Sequence, residues 1–441
     1  MSGQILIEHP AITKAYRRIL PLLFVLYIVA YLDRANVAFA KLSMSADLRF
    51  SDAVFGLGAG LFFLGYLALE IPSAIIAERW SVRLWLSRIL VSWGLLTVLV
   101  GFVRTPMEFY ISRFLLGLAE AGFFPIVIVY LSHWFPARVR ARAFSGLILA
   151  VPVSFVLGAP IAAACLSVSW LGLPGWRWIF ILQGLPAILF GCITPFCITD
   201  RPKDAKWLNA EEREWLTSEL ARETEAKRQH GHMGIRRAFT SWRILVLGTA
   251  LSLIVLASYG YIFWLPSTIK QHSGRSTVES TLWSTLPFIV AAFAVRPAAR
   301  SSDRRQERRL HTAIPLFAAG LSFAMIAVPG QPFPLTMFWL CLTGTFLWAW
   351  SPPFWVLPTM TLGESAAAAS IGFINCIGNV GGFVGPSVVG YLVTSGYSPA
   401  VAVLFLSACF VAAGGLILTV KPPRTQHIEA VTADRAVCEL P

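Results

Sequence analysis

The residues best equipped for chemistry in this chain are charged side chains set inside apolar runs. Asp33 and Arg34 stand side by side in the stretch YLDRANVAF (31–39), directly after the apolar run ILPLLFVLYIVA (19–30). Glu70, Arg113 and Glu120 have similar surroundings. A charge at the centre of a spanning helix costs about 2.5–3.5 kcal/mol on insertion scales, so it is a functional candidate by default. Helical geometry separates the adjacent pair. Tyr27, Tyr31 and Arg34 recur at i, i+4 and i+7 and form one stripe, while Asp33 points about 100° away. Arg34 can then face a central cavity with two tyrosines, a setting suited to an anion. Asp33 can face a neighbouring helix, and an aspartate with exchangeable neighbours suits proton uptake and release. The competing structural reading is a static Asp33–Arg34 brace between helices.

Arg113, Gly117 and Glu120 also follow i, i+4, i+7 and share one helix face. Arg113 lies about 10 Å along the axis from Glu120, too far for a direct pair unless the side chains reach toward each other. The two can bracket an anion, or each can pair with the segment around Asp33; a bracing arginine is the structural alternative. Tyr66 precedes Glu70 by one turn, and Ile71-Pro72-Ser73 follows it near a helix end, which fits an interfacial role for Glu70. The second half carries almost no charge within its apolar runs. Asn375 and Asn379 lie one turn apart among Gly378, Gly381, Gly382 and Gly385. Small residues let helices approach, and amides hydrogen-bond across them or to a ligand. Asn375 is expected to touch the ligand and Asn379 to hold helices together. Trp348, Trp350, Phe354 and Trp355 surround Pro352-Pro353, where a bent or broken helix is expected. Tyr259, Tyr261 and Trp264 precede Pro266 in the same manner. Such aromatic clusters are more often packing than site.

Other chemistries lack a constellation. His230 and His232 are isolated in a polar stretch, and His133 and His311 stand at the ends of apolar runs, so no metal site is expected. No glycine-rich phosphate loop follows a strand, and no Ser-His-Asp arrangement is placed for a nucleophile. The seven cysteines include no C-x-x-C pair, and all but Cys438 lie in apolar runs as small, soft core residues.

The elements that must position these residues are membrane spans. Of 441 residues, 56% are hydrophobic and 13% charged, against about 25% charged in soluble proteins. A spanning helix needs about 20 apolar residues. Such runs fall near 19–40, 53–77, 84–103, 107–131, 143–167, 178–199, 243–267, 281–300, 312–329, 335–357, 367–394 and 397–420. The net charge of +13 is spread in short Lys/Arg clusters between them, not on one basic face. That excludes a nucleic-acid reading and fits the positive-inside rule. Lys14/Arg17/Arg18, Arg79/Arg83/Arg88, Arg138/Arg140/Arg142, Arg300/Arg304/Arg305/Arg308/Arg309 and Lys421/Arg424 fall on one side if every run crosses once. Both termini are therefore expected to be cytoplasmic. No cleavable signal peptide is visible.

The chain is expected to divide into a six-helix lobe (1–199), a cytoplasmic linker (200–242), a second six-helix lobe (243–420) and a cytoplasmic tail (421–441). In the linker, Asn209 and Glu212 read as a capping box. It opens a surface helix that Trp215, Leu216 and Leu220 would rest on the membrane or the bundle. The fold class is all-α, with twelve transmembrane helices in two pseudo-symmetric lobes. Weak echoes between the halves, such as Gly158-Ala-Pro160 against Gly385-Pro386, agree with the repeats of secondary transporters.

Several motifs carry a family likeness: YLDRANVAFA (31–40), FGLGAGLFFLGYLALEIPS (55–73), RFLLGLAEAGFFP (113–125), GWRWIFILQGLPA (175–187), FWLPSTIK (263–270), SDRRQERR (302–309) and SIGFINCIGNVGGFVGP (370–386). In order and spacing they resemble the anion:cation symporter branch of the major facilitator superfamily over nearly the whole chain. The resemblance implies a monomeric carrier of a small organic anion in the bacterial inner membrane. It works without a cofactor, nucleic acid or metal, and is driven by protons, with sodium as the alternative ion. It implies proton coupling at Asp33 and Glu120 and substrate contacts at Arg34, Tyr31, Tyr66, Arg113, Asn375 and Trp355. It also implies a gate at Asp303 and Arg304. Two departures stand out. The loop after the second span reads Glu78-Arg-Trp-Ser-Val-Arg83, without the usual Asp and Gly, and Gln183 replaces a common Glu. Val151 and Pro352 stand near positions where sugar-acid carriers place polar side chains. This tilts the expected substrate toward an aromatic acid or a hydroxy-dicarboxylate such as tartrate. Sugar-acid uptake and proton-coupled efflux are the alternatives. A membrane sensor or enzyme has no domain or catalytic set to support it.

Overall fold

The computed structural model describes residues 9–229, 241–305, 307–358 and 364–420, and these are helical with no strand among them. Twelve helices are long and apolar enough to cross a membrane. In chain order, spans 1 to 6 are Pro10–Leu48, Asp52–Arg79, Val82–Val100, Pro106–Trp134, Arg142–Leu166 and Gly175–Cys197. Spans 7 to 12 are Trp242–Ser273, Thr277–Arg305, Arg309–Ala327, Phe333–Phe354, Ser370–Thr394 and Pro399–Thr419. His230, His232, Lys421, Arg424, Cys438 and the side chain of Arg138 lie outside the described residues, as do the whole tail and part of the linker. Span 8 contains Arg296 well before its end, so the second lobe is less free of charge than the sequence reading held.

Local chemistry sets the helix starts. Span 2 begins behind Ser51, whose hydroxyl accepts from the Val54 amide at 3.2 Å. Span 4 begins with Pro106 behind Thr105, whose hydroxyl accepts from the Glu108 amide at 3.2 Å. Span 3 begins at the loop that lacks the family's Asp. Asp200, just past the end of span 6, reaches this start: it accepts from the Ser81 hydroxyl at 2.7 Å and the Arg83 amide at 2.8 Å.

The linker helix Ala210–Gln229 starts at a reciprocal cap between Asn209 and Glu212, at 2.7 and 3.0 Å. It docks on the first lobe. Lys14 pairs with Glu212 at 2.7 Å, Trp215 stacks on His9 at 3.5 Å, and Glu223 receives Arg140 at 2.9 Å. The Lys14 contact holds the Glu212 carboxyl below the usual glutamate range. This contribution is therefore full at neutral pH and fades as pH falls through that lowered value.

Odd-numbered spans leave the face that carries the linker, and even-numbered spans return to it. Spans 1 to 6 and spans 7 to 12 pack as two lobes that meet through spans 2 and 11, 1 and 7, and 5 and 8. The seam is closed at the face opposite the linker, the distal face. There the Ala53 amide donates to the Thr394 hydroxyl at 2.8 Å. Lys41 pairs with Asp52 at 2.6 Å and lies 4.1 Å from the Trp264 ring centre. Deeper in, Phe63 packs on Tyr259 and Phe155 stacks on Phe288. Glycine makes this approach feasible: a Cβ on Gly56 would overlap the Pro386 carbonyl across the seam, whereas one on Gly117 would overlap the Phe62 carbonyl inside the first lobe.

These two glycines predict different outcomes. Gly56→Val should leave both lobes folded but wedge the distal seam, speeding maleimide labelling of a Ser387→Cys reporter. Gly117→Val should instead lower the melting temperature, because spans 2 and 4 belong to one packed unit. Unchanged labelling in the Gly56 variant would contradict the seam.

Candidate functional site

Span 4 is not one helix. Pro106–Glu120 ends at Glu120, and Phe123–Trp134 resumes after Gly122. Gly122 has φ +90°, a left-handed value that glycine adopts without strain, and a Cβ there would strike Ser73. The break sets Glu120 at the end of a half-helix in mid-membrane, where discontinuous helices build sites in carriers.

Glu120 is fully buried and pairs with Arg34 of span 1; Nε and Nη2 both lie 2.6 Å from Oε1. Oε2 has no direct partner. The Arg34 guanidinium also sits 5.2 Å from the Tyr31 ring, 5.0 Å from Tyr66 and 5.8 Å from Phe62. Tyr259 of span 7 brings the second lobe within reach of the same group. Tyr27, the far end of the sequence stripe, is buried and packs between Tyr31 and Phe123.

Asp33 turns away from Arg34, so the direct brace between them is not formed. Its Oδ1 accepts from the Thr97 hydroxyl of span 3 at 2.8 Å and from the Asn36 amide at 2.9 Å. Its Oδ2 is buried, and the indole nitrogen of Trp93 faces the carboxyl as a further donor outside ideal hydrogen-bond geometry. Arg113 is 1% exposed, and its Nε and Nη1 are also unpartnered. It lies 4.9 Å from the Phe62 ring, so Phe62 spaces two guanidiniums. Neither Asp33 nor Glu120 forms an ion pair with Arg113 among the described residues.

Asn375 does not point to an open ligand space in this structure. It donates to Glu70 Oε1 at 2.6 Å, and Asn379 donates to Oε2 at 3.1 Å. Both amides serve one carboxylate on the opposite lobe in this structure. Trp355 packs edge-on to Phe354, and no described contact ties it to Arg34. Tyr261 turns into its own lobe, donating to the Leu340 carbonyl at 2.8 Å. Gln183 is buried with both amide atoms unpartnered, so no carboxylate reinforces the cluster from span 6. Asp303 pairs with Arg308 at 2.6 Å in the turn between spans 8 and 9, while Arg304 is exposed.

Thr97, Asn36, Trp93 and Phe62 were missed in the sequence. Thr97 carried a faint signal, as a hydroxyl in the apolar run of span 3. Asn36 was one turn from Asp33. A distal cleft of about 490 Å³, lined by Lys41, Asp52, Trp264 and His272, is separate from these residues.

Two six-span lobes closing over a buried cluster of guanidiniums and carboxylates define a multi-pass membrane transporter, not an enzyme. The chain belongs to the Major Facilitator Superfamily, whose description matches residues 23–386. The family and fold expected from the sequence both hold. A protein of Agrobacterium vitis described as a putative tartrate transporter is 39% identical over 437 residues, covering 97% of this chain and 95% of that protein. A quinolone resistance transporter of Acinetobacter baumannii is 36% identical, covering 93% and 94%. The solved bacterial homologue of the human lysosomal transporter Spinster, inward-facing and unoccupied, superposes with a TM-score of 0.73 at 17% identity, covering 93% and 96%.

The Arg34–Glu120 contact can be tested by a double-mutant cycle on melting temperature. Arg34→Met and Glu120→Leu should each destabilise, because breaking a buried pair costs about 3–5 kcal/mol. The double variant should recover part of that loss. A double variant whose loss equals the sum of the singles would mean that the pair carries no coupling.

Proposed function

We propose that the protein takes up a small organic carboxylate together with protons by alternating access. The observation that carries this reading is the charge balance of the central cluster. Arg34 and Arg113 offset Asp33 and Glu120, and Arg113 keeps two buried nitrogens without a partner. An anion added to this cluster upsets the balance unless a carboxylate is neutralised. Protonating Glu120 removes the charge that holds Arg34, and the freed guanidinium can then grip the substrate carboxylate bidentately. Arg113 supplies a second cation, and Tyr31 and Tyr66 flank the grip. Asp33, held by neutral donors from Thr97 and Asn36, is the second proton acceptor. The lobes then rock about the site and release both to the other side.

The tartrate-transporter relative supports a hydroxy-dicarboxylate over a sugar acid. The positive-inside rule supports a cytoplasmic linker face and cytoplasmic termini in a bacterial inner membrane. The protein acts as a monomer with no bound cofactor. A second reading, proton-driven efflux, is favoured by the resistance-transporter relative and differs only in direction.

Reconstituted vesicles decide between them. Tartrate should accumulate against its gradient when the outer solution is acid, and Asp33→Asn should abolish this while counterflow exchange survives. Extrusion under the same gradient would favour efflux. Uptake of galactonate without uptake of tartrate or aromatic acids would overturn the substrate class. Arg113→Leu makes a sharper case. It should lower the melting temperature less than Arg34→Met does, since Arg113 offsets the carboxylates without a direct ion pair to break, yet abolish counterflow.

A further inference from the structure

Glu70 is the buried carboxylate that the transport cycle above does not use. It lies in span 2, is 4% exposed, and reaches across to span 11 of the other lobe. Asn375 donates to Oε1 at 2.6 Å; Asn379 at 3.1 Å and the Cys376 thiol at 3.5 Å donate to Oε2. Among the described residues, no Lys or Arg lies within ion-pair distance of it. One turn away on span 2, Tyr66 packs its ring 5.0 Å from the Arg34 guanidinium, so this clasp borders the central cluster.

A carboxylate is a costly choice for glue. A glutamine has one acceptor oxygen and its amide nitrogen would face an asparagine donor, so only a carboxylate accepts from both asparagines, at the cost of a charge in the membrane. What the carboxylate supplies, and an amide does not, is likeness to an anionic ligand. It accepts from both asparagines as a substrate carboxylate would.

We propose that Glu70 is an internal stand-in for the substrate: in the empty carrier its carboxylate occupies the Asn375 and Asn379 amides, and a bound carboxylate takes them over. The inference rests on the reading of the Arg34 cluster as a carboxylate site. It adds that engagement of the second lobe is competitive. The substrate reaches span 11 only by displacing Glu70, so a ligand that merely fills the first lobe leaves the clasp shut. A dicarboxylate fits this arrangement, with one end on Arg34 and the other exchanging with Glu70. Affinity for the substrate is correspondingly lower than the contacts alone would give, because each binding event must break an existing charged hydrogen bond.

The test is a double-mutant cycle on tartrate affinity, measured by calorimetry on the full-length protein in detergent. Glutamine keeps one neutral acceptor and turns the other oxygen into a donor, so Glu70→Gln loosens the clasp and should tighten tartrate binding about three- to tenfold. In an Asn375→Leu/Asn379→Leu background the same substitution should change nothing, because both contested donors are gone. Asn375→Ala/Asn379→Ala serves if the leucine variant does not fold. Unchanged or weaker binding in Glu70→Gln overturns the proposal. Equal tightening in both backgrounds also overturns it, since that would be general relief of negative charge. Failure of the underlying reading looks different. Loss of the effect of Arg34→Gln on affinity would sink the carboxylate site and leave the Glu70 result standing. If the wild type bound neither tartrate nor phthalate, both would fall.

Discussion

Everything at the centre of this protein depends on placing ionised groups where water cannot pay their solvation. Arg34 meets Glu120 at 2.6 Å in a setting where neither can be left alone without a large penalty. That single contact ties span 1 to the broken point of span 4. It also leaves two consequences in plain view. Among the described residues Arg113 has no ion-pair partner of its own, and Asp33 is held by neutral donors, chiefly a hydroxyl and an amide. A cluster balanced in total charge but incompletely paired can exchange partners at modest cost. A fully paired one would be a brace, and a fully unpaired one would not stay in the membrane.

The architecture around the cluster serves that exchange. The left-handed Gly122 interrupts span 4 immediately after Glu120 and frees the carboxylate from a continuous helix. Close packing between spans 2 and 4 fixes Phe62 between the two guanidiniums. The same span 2 forms the seam with span 11 on its other side, so the element that lines the site also joins the lobes. Glu70 lies on it one turn from Tyr66. A change at the ligand is thus mechanically close to a change at the lobe interface, without any long path between them.

Some of this was legible in the residues alone, and the reasons are physical. The twelve apolar runs identify themselves, because a bilayer demands about 20 apolar residues per crossing whatever the packing. The divergence of Asp33 from Arg34 follows from the 100° step of a helix and needs no neighbour. Helix starts such as Thr105-Pro106 and the Asn209–Glu212 cap are local chemistry between residues a few positions apart. Even the loop that departs from its family pattern was recognisable as a departure, although its contact with Asp200 was not.

The sequence by itself therefore determined the spans, the facing of side chains within each helix, and the identity of the charged groups that had to find company inside the membrane. Only the tertiary structure decided the company. Arg34 and Glu120 are 86 positions apart, and Glu70 and Asn375 are 305 apart. A helical pattern says which way a side chain points from its own axis but nothing about which axis stands opposite. Partner choice is settled when helices pack, by where glycines allow backbones to touch and where a break such as Gly122 redirects the chain. That is why Asn375 reads as a ligand contact on a helical wheel and is found holding a carboxylate from the other lobe.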